Sequence, residues 1–135
     1  MKQYLELLSD VSEHGQEKTD PQGIGNIAVC GRQNRYPVSQ GEFPIITTKR
    51  IPFRMVAGEL IWFLRGESRV DWLRERGITI WDEWATPEAC ARYGLSPGDL
   101  GMIYGPLWRH WPSTGGGEID QIAEVVKTLT SSPDS

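Results

Sequence analysis

Histidine and cysteine are scarce in this sequence, with two of each among 135 residues. His14 and His110 have no partner at metal-ligand spacing, so no zinc or other metal is expected. Cys30 and Cys90 lie far apart and form no C-x-x-C pair. Two unpaired cysteines, with no secretory leader in the opening Met1–Leu8 segment, give the expectation of a reducing, cytoplasmic compartment. No apolar run approaches the roughly 20 residues that span a bilayer, so no membrane association is expected. Basic residues are in the minority: a net charge of −4 and a pI near 5.2 argue against a nucleic-acid binder. They leave room for a local basic pocket that takes a small anion.

An apolar content of 39% with 24% charged residues is that of an ordinary globular chain, long enough for one domain with one core. Fifteen glycines and nine prolines predict many turns. Tyr4, Leu5, Leu7, Leu8 and Val11 predict a first helix with Gly15 as its stop. Thr19 to Asn26 is rich in turn formers, Ile27 to Val38 predicts a strand, and Gly41 to Pro44 a turn before the β-rich Ile45 to Thr48. Pro52 suits the first turn of a helix whose apolar stripe is Phe53, Val56, Leu60, Phe63 and Leu64, ended by Gly66. A short helix is predicted over Val70 to Arg76, closed by Gly77, and an extended run over Ile78 to Trp81. Thr86 to Gly98 has the composition of a surface insertion with a short helix of its own, and Ile119, Ile122, Ala123, Val126 and Leu129 predict a final helix.

Glu59 has Met55, Val56, Trp62 and Phe63 as its helical neighbours three and four positions away. Burial disfavours a charged carboxylate, and that is one way a glutamate is prepared for proton transfer near neutral pH. The alternative is a structural carboxylate paired with Arg54, Arg65 or a buried backbone group. Trp81 and Trp84 flank Asp82 and Glu83, and could wall a planar heteroaromatic ligand or simply pack a core. Gly23 and Gly25 after Asp20 could offer backbone N–H groups to a phosphate or merely turn the chain. Lys49 and Arg50 could meet an anionic ligand or remain a solvated pair. Trp108-Arg109-His110-Trp111 mixes aromatics with bases in the same way.

In order along the chain, Met1 to Leu7, Thr47-Thr48-Lys49-Arg50, Glu59 to Gly66 and Ile80 to Ala85 together resemble the thymidylate synthase family. The resemblance continues through Gly98-Asp99-Leu100-Gly101, Tyr104-Gly105, Trp108-Arg109, Trp111-Pro112, Ile119 to Ile122 and Ser132 to Ser135. Any one block is weak, but the order and spacing together are specific. The resemblance implies an α+β fold, a mixed β-sheet layered with helices, that dimerises through its sheet. It implies transfer of a one-carbon unit from 5,10-methylenetetrahydrofolate to C5 of deoxyuridylate, with the folate supplying the hydride. Glu59 matches the family's glutamate that organises water for proton transfer at the pyrimidine. Ile80, Trp81 and Trp84 match the wall that holds the folate, Tyr104 a tyrosine lining the same cavity, and Lys49 and Arg50 basic positions near the folate's anionic tail. The loop of Asp20, Pro21, Gly23 and Gly25 matches the nucleotide-phosphate loop.

Three positions depart from the family. Pro21 stands where an arginine binds the phosphate, Gly58 where a histidine often precedes the glutamate, and Pro52 where many members carry histidine. Residues 86–97 form a longer insertion than typical bacterial members have. Residues 1–135 are thus expected to be the N-terminal part of a single domain, with the nucleophilic cysteine in its Pro-Cys-His setting after Ser135. Neither Cys30 nor Cys90 has a neighbourhood suited to a reactive thiolate. Two alternatives stand beside a synthase: a pyrimidine-nucleotide hydroxymethylase, and a non-catalytic dimerisation or regulatory fragment of the family.

Overall fold

The computed structural model describes residues 2–20, 23–39, 41 and 43–134. The chain divides into two compact units, Met1–Ile51 and Pro52–Ser135. Both combine helices with short antiparallel strand pairs, so the α+β class expected from the sequence holds. The larger mixed sheet implied by the resemblance is not seen among the described residues: their strands form two separate two-stranded ladders. No helix among them is long and apolar enough to cross a membrane.

The first unit begins with α1, Lys2–His14, as the spacing of its leucines predicts. Gly15 ends it, its amide bonded to the carbonyl of Val11 at 3.0 Å. A hairpin follows, with β1 (Gln16–Lys18) antiparallel to β2 (Asn26–Ala28) and Glu17 opposite Ile27. The turn formers between Thr19 and Asn26 are its loop. The strand predicted over Ile27 to Val38 is therefore only three residues long, and β1 was not foreseen. Gly31, Pro37 and the polar run Arg32 to Arg35 offer little for a ladder to bury. They are fixed by side chains instead: Arg32 pairs with Asp10 of α1, and the Gln3 amide donates to the carbonyl of Arg35 at 3.1 Å. The β-rich run at Ile45 to Thr48 forms no strand. No described residue of this unit is buried.

The second unit holds the core. Helix α2, Phe53–Leu64, starts after Pro52, whose carbonyl accepts from Met55 N–H at 2.8 Å. Gly66, at φ 73°, ends it in the left-handed turn that favours glycine. Its buried residues are Gly58, Trp62 and Phe63, whereas four members of the predicted stripe, Phe53, Val56, Leu60 and Leu64, are exposed. The helix is apolar almost all round, so its pattern could not select the inward face. Trp62 is fully buried and its indole N–H donates to the carbonyl of Arg69 at 2.9 Å, which removes the cost of burying that donor. Around it pack Phe63, Leu73 from α3 (Asp71–Arg74) and Ile78.

After Gly77, the extended run expected over Ile78 to Trp81 is instead a chain of turns, in which Asp82 N–H reaches the carbonyl of Thr79 and Trp84 N–H that of Trp81. Thr86 then caps α4, Pro87–Ala91, by accepting from Ala89 N–H at 3.1 Å. The insertion is more than a surface excursion. Gly98 returns to bond Ala85 and Val70, Leu100 bonds Ser68, and Cys90 is the buried residue of α4. Helix α5, Tyr104–Arg109, was not foreseen, because Gly105-Pro106 reads as a turn in sequence. The hairpin β3 (Trp111–Pro112) with β4 (Glu118–Ile119) leads to α6, Gln121–Ser131.

Candidate functional site

Glu59 lies on the second turn of α2, half-buried, and one of its carboxylate oxygens accepts the Trp81 indole N–H at 2.8 Å. The partner is thus neither Arg54 nor Arg65. Arg54 donates to the Arg76 carbonyl, and Arg65 pairs with Glu67. A neutral donor orients the carboxylate without bringing a cation beside it. The turns after Ile78 create this contact, since they swing Trp81 back over α2.

Around the pair stands a continuous aromatic cluster. The Trp81 ring lies 6.0 Å from Trp62, 5.6 Å from Trp84 and 6.3 Å from Tyr104, centroid to centroid. Phe63 packs at 4.9 Å from Tyr104 and at 5.5 Å, edge-on, from Trp108. The spacings are those of mutually supporting aromatic pairs. Two members face outward: Trp84 is 56% exposed and Tyr104 52%. Ile80 packs against the core behind them. Phe63, read from the sequence only as part of the apolar stripe of α2, packs on Tyr104, and Trp108 packs on Phe63 in turn.

Helix α5 can come this close to α2 because residue 105 is glycine. A Cβ there would stand 2.7 Å from the carbonyl oxygen of Glu67, a backbone atom with no easy way to retreat. Arg109 secures the same junction. It donates to the Leu64 carbonyl at the end of α2 (2.7 Å) and pairs with Asp120, the N-cap of α6, at 2.8 Å. The Ala123 amide first, and then Arg109, hold the Asp120 carboxyl below the usual carboxylate range.

Gly58, directly before the glutamate, is buried, and a Cβ on it would stand 2.2 Å from Cδ1 of Ile78. The departure from the family's histidine therefore has a packing reason in this chain: Ile78 occupies the space that a side chain at 58 would need.

A cavity of about 680 Å³ opens beside the cluster, within the usual size of small-molecule sites. Trp81 and Trp84 form one side, and Cys90, Arg92, Tyr93 and Leu95 of the insertion another. Cys90 directs its sulfur at the carbonyls of Asp99 (3.2 Å) and Trp84 (3.8 Å). Asp99, also on the wall, accepts the Gly101 amide at 2.9 Å; this bond and the Ser68 hydroxyl hold its carboxyl below the usual range. The helix of the insertion is legible in sequence, but its return to Trp84 depends on the Ala85–Gly98 contact.

The remaining sequence-predicted residues belong to the first unit. Lys49 and Arg50 are exposed there. Asp20 turns the β1–β2 loop, its carbonyl accepting from Gly23 N–H at 3.1 Å, while Gly23 and Gly25 both have positive φ. Pro21 lies outside the described residues.

An α+β chain with a carboxylate held by an indole, set in an aromatic wall beside a cavity, has the makings of a site for a flat ligand and a proton transfer. The sequence model of the thymidylate synthase family matches residues 2–135, nearly the whole chain, and the chain belongs to that family.

Proposed function

We propose that this chain supplies the proton-relay glutamate and the folate wall of a thymidylate synthase-type enzyme. The reaction transfers the one-carbon unit of 5,10-methylenetetrahydrofolate to C5 of deoxyuridylate and yields thymidylate and dihydrofolate. A methylene unit becomes a methyl group only with an added hydride, which the folate gives up as it is oxidised, and C5 must release its proton. Glu59 is the group proposed to manage that proton through ordered water. The observation that carries the reading is the Trp81–Glu59 hydrogen bond, because it fixes the carboxylate at the edge of an aromatic wall. Trp81, Trp84 and Tyr104 would flank the pterin, with Ile80 behind them. Lys49 and Arg50 are proposed for the folate's anionic tail, and the loop of Asp20, Pro21, Gly23 and Gly25 for the nucleotide phosphate. Residues 1–135 would be the N-terminal part of one domain that works as a homodimer in the cytoplasm, with the nucleophilic thiolate supplied by neither Cys30 nor Cys90.

Release of tritium from C5-labelled deoxyuridylate tests the role of Glu59. Glu59→Gln keeps size and hydrogen bonding but removes the proton-transfer group. In the full-length protein the rate should fall by about two to four decades, the usual range for general acid–base catalysis. An unchanged rate would make Glu59 a structural carboxylate. Parallel use of deoxycytidylate separates the synthase from a hydroxymethylase acting on cytosine nucleotides.

A further inference from the structure

Among the arginines of residues 52–134, Arg92, which is exposed, is the one whose side chain makes no hydrogen bond or ion pair with another described residue. The Arg54 side chain donates to a backbone carbonyl, Arg65 and Arg74 to carboxylates, and Arg69, Arg76 and Arg109 to both. A cation left unpaired in this way is ordinary on a convex surface. Arg92, however, lies on the wall of the 680 Å³ cavity, which Tyr93 and Trp84 also line. Those two rings are 80% and 56% exposed, an unusual loss of apolar burial for large aromatics sharing one concavity. The other charged group of the wall, Asp99, is already engaged by the Gly101 amide and the Ser68 hydroxyl. The cavity therefore offers flat apolar faces and one uncommitted guanidinium, which suits a ligand that is aromatic along its length and carboxylated at one end.

We propose that Arg92, in addition to the Lys49 and Arg50 proposed for the anionic tail, is the residue through which the insertion reads one of the two carboxylates of the folate's glutamate, with Trp84 and Tyr93 covering the flat portion. The inference rests on the folate site proposed above and assigns the insertion a part in it. A guanidinium can take a carboxylate through two parallel N–H donors, which a lysine cannot reproduce. The Thr86 cap and the buried Cys90 anchor the short helix that ends at Arg92, so the cation is carried on a fixed element.

The test compares dihydrofolate with dihydropteroate, which keeps the pterin and benzoyl rings but lacks the glutamate. Binding to the full-length protein with saturating deoxyuridylate would be followed by quenching of tryptophan emission. Arg92→Ala should weaken dihydrofolate about tenfold to a hundredfold, the range of a charge-assisted hydrogen bond, and leave dihydropteroate unchanged. Arg92→Lys should recover only part of the loss. Equal weakening of both ligands, or of neither, would overturn the assignment of Arg92 while leaving the folate site standing. Failure of both ligands to bind the unaltered protein would overturn the folate site, and the role of Arg92 with it.

Discussion

Glu59 and Trp81 are 22 residues apart and meet through a single hydrogen bond. Only half of that pairing could be read from the sequence. The apolar neighbours of Glu59 mark it as a carboxylate in need of a partner, and the helix pattern fixes which residues those neighbours are. The partner itself depends on the turns after Ile78, where a two-residue error in direction would aim Trp81 elsewhere. The sequence offers Arg54, Arg65 or a buried backbone group as partners; Arg54 is engaged with the Arg76 carbonyl and Arg65 with Glu67. Gly58 shows the same limit from the other side. In sequence it is a departure from the family; in the structure Ile78 fills its space. Restoring the histidine should therefore harm this chain. Gly58→His is expected to lower stability by about 1–3 kcal/mol through overpacking. Shortening the obstacle with Ile78→Ala should make the double variant more stable than the sum of the single changes predicts. Urea unfolding of the four proteins measures this, and strict additivity would show that residues 58 and 78 do not compete for space.

At the level of elements, the existence of every helix but α5 was legible and helix orientation was not. α1, α2, α3, α4 and α6 all follow from spacing, prolines and glycines. The buried face of α2 did not follow, because nearly every position on it is apolar. The strands were the least legible, since each described ladder is only two or three residues long and is set by its loop rather than by alternation. α6 shows how one side chain can serve two elements: Asp120 caps the helix and also receives Arg109, which in turn caps α2. Its carboxyl is held below the usual range in the folded chain, so the unfolded chain binds the proton more readily. The resulting stabilisation is complete above about pH 4, where the unfolded carboxylate is ionised, and fades as pH falls through the lower folded value. Asp99 acts in the same direction. Thermal unfolding between pH 2 and 7 should show the midpoint of the unaltered protein falling on acidification, and Asp120→Asn, which keeps a capping oxygen, falling less steeply. Identical falls would remove Asp120 from the account.

For the molecule as a whole, the family was legible because many short blocks recur in the right order, and the match over residues 2–135 bears this out. The aromatic cavity was not legible, because it joins the Trp81–Trp84 turn to an insertion whose return path cannot be read from spacing. The site as proposed holds a proton relay and a folate wall, and the chain's two cysteines are differently disposed: Cys30 is exposed, and Cys90 is buried against backbone carbonyls. The chemistry proposed needs a thiolate activated by its surroundings; the Arg32 guanidinium does stand near Cys30, bonded to its carbonyl, whereas Cys90 faces carbonyls, and the proposal assigns the nucleophile to neither. Intact mass measurement after incubating the full-length protein with 5-fluorodeoxyuridylate and 5,10-methylenetetrahydrofolate tests this most directly. The account predicts one covalent adduct per chain containing both nucleotide and folate, mapped by peptide analysis to a cysteine other than Cys30 and Cys90, and none with the corresponding fluorinated cytosine nucleotide. An adduct on Cys30 or Cys90, or none with the uracil nucleotide, would contradict it.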